Sequence, residues 1–89
     1  MKPIVLSGHA RHEAGRRSIE PAWIAAVIRG PLWTEPDPDP AVHRHFGRIA
    51  AAGGRVLRVA AIERPDCTFV VTAHFDRVAA RRLARGDRP

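Results

Sequence analysis

The chain holds one cysteine, Cys67, and one lysine, Lys2. A lone cysteine excludes an internal disulfide and fits a reducing cytoplasm. No apolar run approaches the length of a membrane span. Met1-Lys2-Pro3 leads into only Ile4-Val5-Leu6 before polar residues begin, which does not fit a signal peptide. The expectation is a soluble cytoplasmic protein with no membrane partner. The sequence also lacks a glycine-rich phosphate loop, a serine-nucleophile elbow and a Cys-x-x-Cys pair, so it offers no direct signature of the chemistries those motifs serve. At 89 residues there is room for a single domain, 1–89, with one modest core.

What the chain has in quantity is arginine. Lys+Arg total 15 against 9 Asp+Glu, a formal net charge of +6. An arginine-rich genome explains the missing lysine but not the excess of positive charge. That excess is the electrostatic footprint of a polyanion binder, and arginine grips phosphate through paired donors. Residues 34–41, Thr-Glu-Pro-Asp-Pro-Asp-Pro-Ala, hold three of the acids in a proline-rich loop that cannot be helix or central strand.

The patterning predicts an α+β fold. Lys2 to Leu6 reads as an edge strand. Ser7 caps a short helix over Gly8 to Ala14, which Gly15 ends. Pro21 opens a second helix, whose Trp23, Ile24, Val27 and Ile28 form an apolar stripe, and Gly30-Pro31 stops it. Three strands follow, about Val42 to Ile49, Arg55 to Ile62 and Thr68 to Phe75, joined by Gly53-Gly54 and Arg64-Pro65-Asp66 turns short enough for antiparallel hairpins. The expected architecture is two N-terminal helices on one face of a small antiparallel sheet. The core spans about residues 5–76, and residues 77–89 form a basic C-terminal helix or tail.

Four constellations carry candidate chemistry. His9 and Glu13 stand one helical turn apart, where a carboxylate would orient an imidazole for acid–base work. The plainer reading is a polar helix face with Ala10 and Ala14 buried. His43 and His45 share a strand face but lack further ligands, so no metal or other cofactor is expected. Strand alternation puts Leu57, Val59 and Ala61 on one face, and Phe69, Val71, Ala73 and Phe75 with them. Arg58, Thr72 and His74 then emerge together on the opposite face. A base, a cation and an acid at a phosphate are what RNA cleavage by 2′-hydroxyl attack requires, without a metal. The plainer reading is an ordinary solvent-facing sheet. Trp33, finally, can stack on a base or cover the core edge.

In order along the chain stand Ser7-x-His9-Ala10-x-x-x-x-x-Arg16-Arg17-x-Ile19, a short apolar helix ending at proline, His45-Phe46-Gly47-Arg48, Gly54-Arg55-x-Leu57-Arg58-Val59 and Val70-Val71-Thr72-Ala73. This order resembles a group of short bacterial domains of unknown function related to the RelE/ParE-like and BrnT-like toxins. The resemblance covers roughly residues 5 to 76. It implies a RelE-like fold and a metal-independent endoribonuclease of a toxin–antitoxin system, acting on RNA such as ribosome-bound mRNA and held by an acidic antitoxin protein. His9, Arg58 and Thr72 match the group's polar positions. His74 stands where relatives often carry an aromatic such as tyrosine. On this reading His9 or His74 is base or acid, Arg58 stabilises the phosphorane, Thr72 hydrogen-bonds phosphate or orients a histidine, and Arg16, Arg17, Arg48, Arg77 and Arg81 hold the RNA backbone. The rival is a non-catalytic basic module that binds nucleic acid or an acidic protein partner.

Overall fold

The computed structural model of the chain describes residues 2–86. It is an α+β fold in which a mixed five-stranded sheet carries helices on both faces. Residues 87–89, the end of the expected basic tail, lie outside the described residues. Strands β1 (Ile4–Leu6), β2 (Trp33–Pro36), β3 (Val42–Ile49), β4 (Arg55–Glu63) and β5 (Thr68–Phe75) take the order β1-β5-β4-β3-β2. The β2–β3–β4–β5 portion is antiparallel, but β1 joins β5 in parallel. The sheet is therefore mixed and not purely antiparallel. No short turn joins β1 to β5, so nothing imposes an antiparallel pairing on them.

Helices α1 (Gly8–Arg16) and α2 (Pro21–Arg29) pack on one face of the sheet. Ala10 and Ala14 of α1 join Ile24 and Val27 of α2 against Leu57, Val59, Val70 and Ala73. Burying side chains such as Ile24 and Leu57 stabilises the fold by about 1.5–3 kcal/mol each. Gly47 lets α2 lie close to β3, since a Cβ there would stand 2.9 Å from Val27 Cγ2.

Ser7 caps α1 as expected, its Oγ accepting from the Ala10 amide at 3.0 Å. Gly15, however, does not end the helix. The stop comes at Ser18, in the left-handed region at φ 56°. The Ile19 amide reaches Ala14 O at 2.8 Å and the Ser18 amide reaches Gly15 O at 3.3 Å, the two bonds of a Schellman closure. Buried Ile19 and Ala14 supply its hydrophobic contact.

The other face carries α3 (Arg77–Ala84), capped by Asp76, whose Oδ1 accepts from the Ala79 amide at 2.8 Å. Ala79, Ala80 and Leu83 pack on Trp33, Phe46 and Val56. The proline-rich segment thus begins as an edge strand, β2, before it becomes a loop. Trp33 is buried there and stacks on Phe46 with ring centroids 4.6 Å apart, so it covers a core and is not an exposed base-stacking platform.

The alternation of β5 breaks at a bulge. Ala60 pairs with Thr72, while Ala61 pairs with Val70, leaving Val71 as the extra residue. Before the bulge Thr68 and Val70 are buried; after it Ala73 and Phe75 face the main core. Phe69 and Val71 therefore do not share the buried face with Ala73, as strict alternation predicts. Phe69 lies instead under the Arg64 guanidinium, 4.1 Å from its ring centroid.

Candidate functional site

Thr72 and His74 follow the bulge, so their side remains the one opposite α1 and α2. Sheet register builds a row across that face: Trp33, Phe46, Arg58 and His74 lie on β2, β3, β4 and β5 in turn. The next row is Glu35, Arg44, Ala60 and Thr72. The three residues that alternation gathers, Arg58, Thr72 and His74, are thus neighbours on one face.

Arg58 Nη2 lies 2.7 Å from His74 Nε2. A guanidinium has donors only, so Nε2 must accept and the ring's proton sits on Nδ1. The bond requires a neutral imidazole. Partial burial and the adjacent Arg58 charge both push the His74 pKa below its ordinary 6.5. Arg58 Nη1 is also 3.7 Å from Asp76 Oδ2, which ties the pair to the cap of α3. His74 is therefore held uncharged and oriented, with a permanent cation on its Nε2 edge.

Arg58 and His74 floor a groove of about 440 Å³ between the sheet and the start of α3, whereas Thr72, in the next row, does not line it. Arg44, Arg58, Arg77 and Arg82 line it against the carboxylates Glu35 and Asp76. Arg44 is oriented by Asp37 at 2.9 Å. The Asp39 amide and Arg44 together hold the Asp37 carboxyl below its usual range. Glu35 accepts from Trp33 Nε1 at 2.8 Å and lies 3.7 Å from Arg82. The first elements of a phosphate site are present: oriented guanidinium groups in a concave surface with a surplus of positive charge.

Other expected site residues stand elsewhere. His9 is exposed on α1 and does not line this groove. Glu13 does not serve it either. Arg16 and Arg17 both bond the Glu13 carboxylate at 3.0 Å, and they lower its pKa to about 2. Glutamate with arginines three and four positions later on a helix is a favourable order, and it wins over His9. Arg48 and Arg81 are exposed outside the groove, whereas Arg77 lines it. His43 and His45 lie on the sheet face opposite His74, and His45 Nδ1 donates to Val59 O at 3.3 Å.

Sequence reasoning did not single out Arg44, Glu35 or Asp76, and it counted Arg82 only among the arginines of the C-terminal run. Asp76 was legible as a helix cap, since Asp precedes an arginine-rich helical run. The other three depend on α3 folding back over the second sheet face, which local pattern does not encode. Among the described residues, no helix is long and apolar enough to cross a membrane. Comparison of the chain with protein-family models, with curated proteins and with solved structures finds no match.

Proposed function

We propose that this protein is a toxin-like, metal-independent endoribonuclease with RelE/BrnT-like kinship, cutting RNA in the groove between the open sheet face and α3. The observation that carries the reading is the 2.7 Å contact of Arg58 with a neutral His74 on the floor of an arginine-lined groove. A substrate phosphate entering the groove competes for the Arg58 donors and frees the His74 Nε2 lone pair. Nε2 then takes the proton of the 2′-hydroxyl while the 2′-oxygen bonds to phosphorus. Arg58 stabilises the charge on the phosphorane oxygens, and Thr72, on the same face one row away but outside the groove lining, would bond only a phosphate oxygen that reaches past that lining. The P–O5′ bond breaks, the 5′-oxygen takes a proton from solvent, and a 2′,3′-cyclic phosphate remains. His9 has no part in this scheme. The cytoplasm, the ribosome as the place where mRNA is met, and an acidic antitoxin segment that fits the same basic groove belong to this proposal.

A second reading has its own observation. Arg58 occupies the very lone pair that a base needs, which suits a non-catalytic module that binds RNA or an acidic protein. The test is cleavage of a 5′-labelled mRNA in EDTA, with and without ribosomes. Arg58→Ala, His74→Ala and His9→Ala would be run beside the parent protein. The endoribonuclease reading expects cyclic-phosphate ends from the parent and from His9→Ala. Arg58→Ala should lose about 10²–10³-fold in rate. Uncut RNA in every arm, with salt-sensitive binding retained, establishes the binding module.

A further inference from the structure

A second groove, of about 420 Å³, adjoins the first at the start of α3, where Phe75, Asp76 and Arg77 line both. Arg17 from the C-cap of α1, Arg55 from β4 and Arg77 from α3 wall it, with Asp76 as its one carboxylate among the described residues. Asp76 is already engaged, by the Ala79 amide through Oδ1 and by Arg58 near Oδ2. Arg55 is held in place twice: Nε donates to Ala52 O at 3.0 Å, and the guanidinium lies 3.9 Å from the Phe75 ring centroid. Arg17 is oriented by its Nε bond to Glu13. Both anchors use Nε, which leaves the terminal Nη donors of Arg17 and Arg55 for another acceptor. Three cations from distant parts of the chain, two of them held in place, thus converge on one concavity and outnumber its carboxylate, a balance that favours an anion among them.

We propose that Arg17, Arg55 and Arg77 form a phosphate subsite that takes an RNA phosphate beside the one reacting at Arg58 and His74. This rests on the endoribonuclease reading, and it adds a direction to it: the strand crosses the first turn of α3 from one groove to the other. The phosphate can be an internal diester or a terminal monoester, since both present oxygens to the same donors.

The test is binding of fluorescent 2′-O-methyl oligouridylates, which lack the reacting hydroxyl, in increasing lengths with a terminal phosphate or a terminal hydroxyl. Parent protein, Arg55→Gln, Arg17→Gln and Arg11→Ala are compared over a range of salt, with circular dichroism as the check on folding. Arg11 lines neither groove and controls for the missing charge. Arg17 is an exposed helix-end residue, so its variant remains informative if Arg55→Gln folds poorly. The subsite expects about tenfold weaker binding in both glutamine variants. It also expects a log–log salt slope shallower by about 0.7 for each phosphate that the variant no longer neutralises. Loss of a gain that depends on the terminal phosphate identifies a monoester. Loss of a length-dependent step identifies a diester. If both glutamine variants match Arg11→Ala while the parent binds RNA, the subsite is overturned and the endoribonuclease reading stands. If the parent binds no oligonucleotide even at low salt, both fall.

Discussion

At the scale of single residues, the arrangement is decided by which nitrogen holds a proton. Protonating His74 destroys its acceptor at Nε2 and sets a second cation against Arg58, so acid must break this pair. His74 should therefore titrate below 6.5, with burial the larger cause and Arg58 the next. The expected pH–rate profile for kcat/KM keeps its plateau below pH 6.5 and falls only as His74 protonates. An NMR titration of the His74 ring checks the same point without assuming activity. In Arg58→Ala the midpoint should move up toward the ordinary value, because one cause of its depression is gone while burial remains. A midpoint that stays put would show that the guanidinium does not govern the ring. The juxtaposition was legible in the sequence because Arg58, Thr72 and His74 sit where strand alternation survives. Alternation fails for Phe69 and Val71 because an extra residue at Val71 reverses the parity before it. Nothing in Phe69-Val70-Val71-Thr72 marks which residue the partner strand will skip.

At the scale of elements, local signals competed and tertiary closure chose between them. Gly15 looks like a helix stop, yet α1 runs past it and closes on Ser18 with Ile19 buried. The hydrophobic contact of Ile19 with the core fixes the left-handed turn there, and Ser18 carries its cost. Gly15→Ala should consequently stabilise the protein by about 0.5–1 kcal/mol, since Gly15 is helical and nothing lies within 4 Å of its added Cβ. Ser18→Gly should add a similar amount, about 1 kcal/mol, by removing a side chain from φ 56°. Denaturant unfolding measures both. If Gly15→Ala destabilised the chain, the helix stop would lie at Gly15 after all.

Helix α3 poses the matching question on the other face. Asp76 there both caps the helix and stands beside Arg58. Asp76→Ala should cost about 1 kcal/mol through the cap. Asp76→Asn keeps an acceptor for the Ala79 amide while removing the charge near Arg58. Asp76→Asn should therefore retain most of the helix stability and still alter the His74 titration. Similar losses of stability from both variants would mean that charge, and not capping, holds α3. This helix was visible in the sequence as an arginine-rich C-terminal run. Its docking on Trp33, Phe46 and Val56 was not, because the proline-rich segment disguised β2 as loop.

At the scale of the whole molecule, stability should follow pH in two stages. The unfolded chain takes a proton on His74 as pH falls through 6.5, while the folded chain resists until its lowered pKa is reached. Stability therefore declines across that window and changes no further from this source below it. The carboxylates form the second stage. Arg16 and Arg17 hold Glu13 ionised down to about pH 2, and Lys2 with Thr68 lowers Glu63 from 4.5. Their contribution is present above about 4.5 and is lost as pH falls toward the folded values. Each lost carboxylate also raises a net charge that already stands at +6, so self-repulsion grows as the ion pairs vanish. Thermal unfolding followed from pH 8 to pH 2 should show both declines, and His74→Gln should remove the upper one alone. Added salt opposes the repulsion but also screens the exposed Glu13 pairs. Glu13→Gln separates these effects. If pairing dominates, the variant should lose stability at neutral pH and have a shallower acid decline than the parent. An acid decline unchanged by Glu13→Gln would assign the second stage to general charge repulsion.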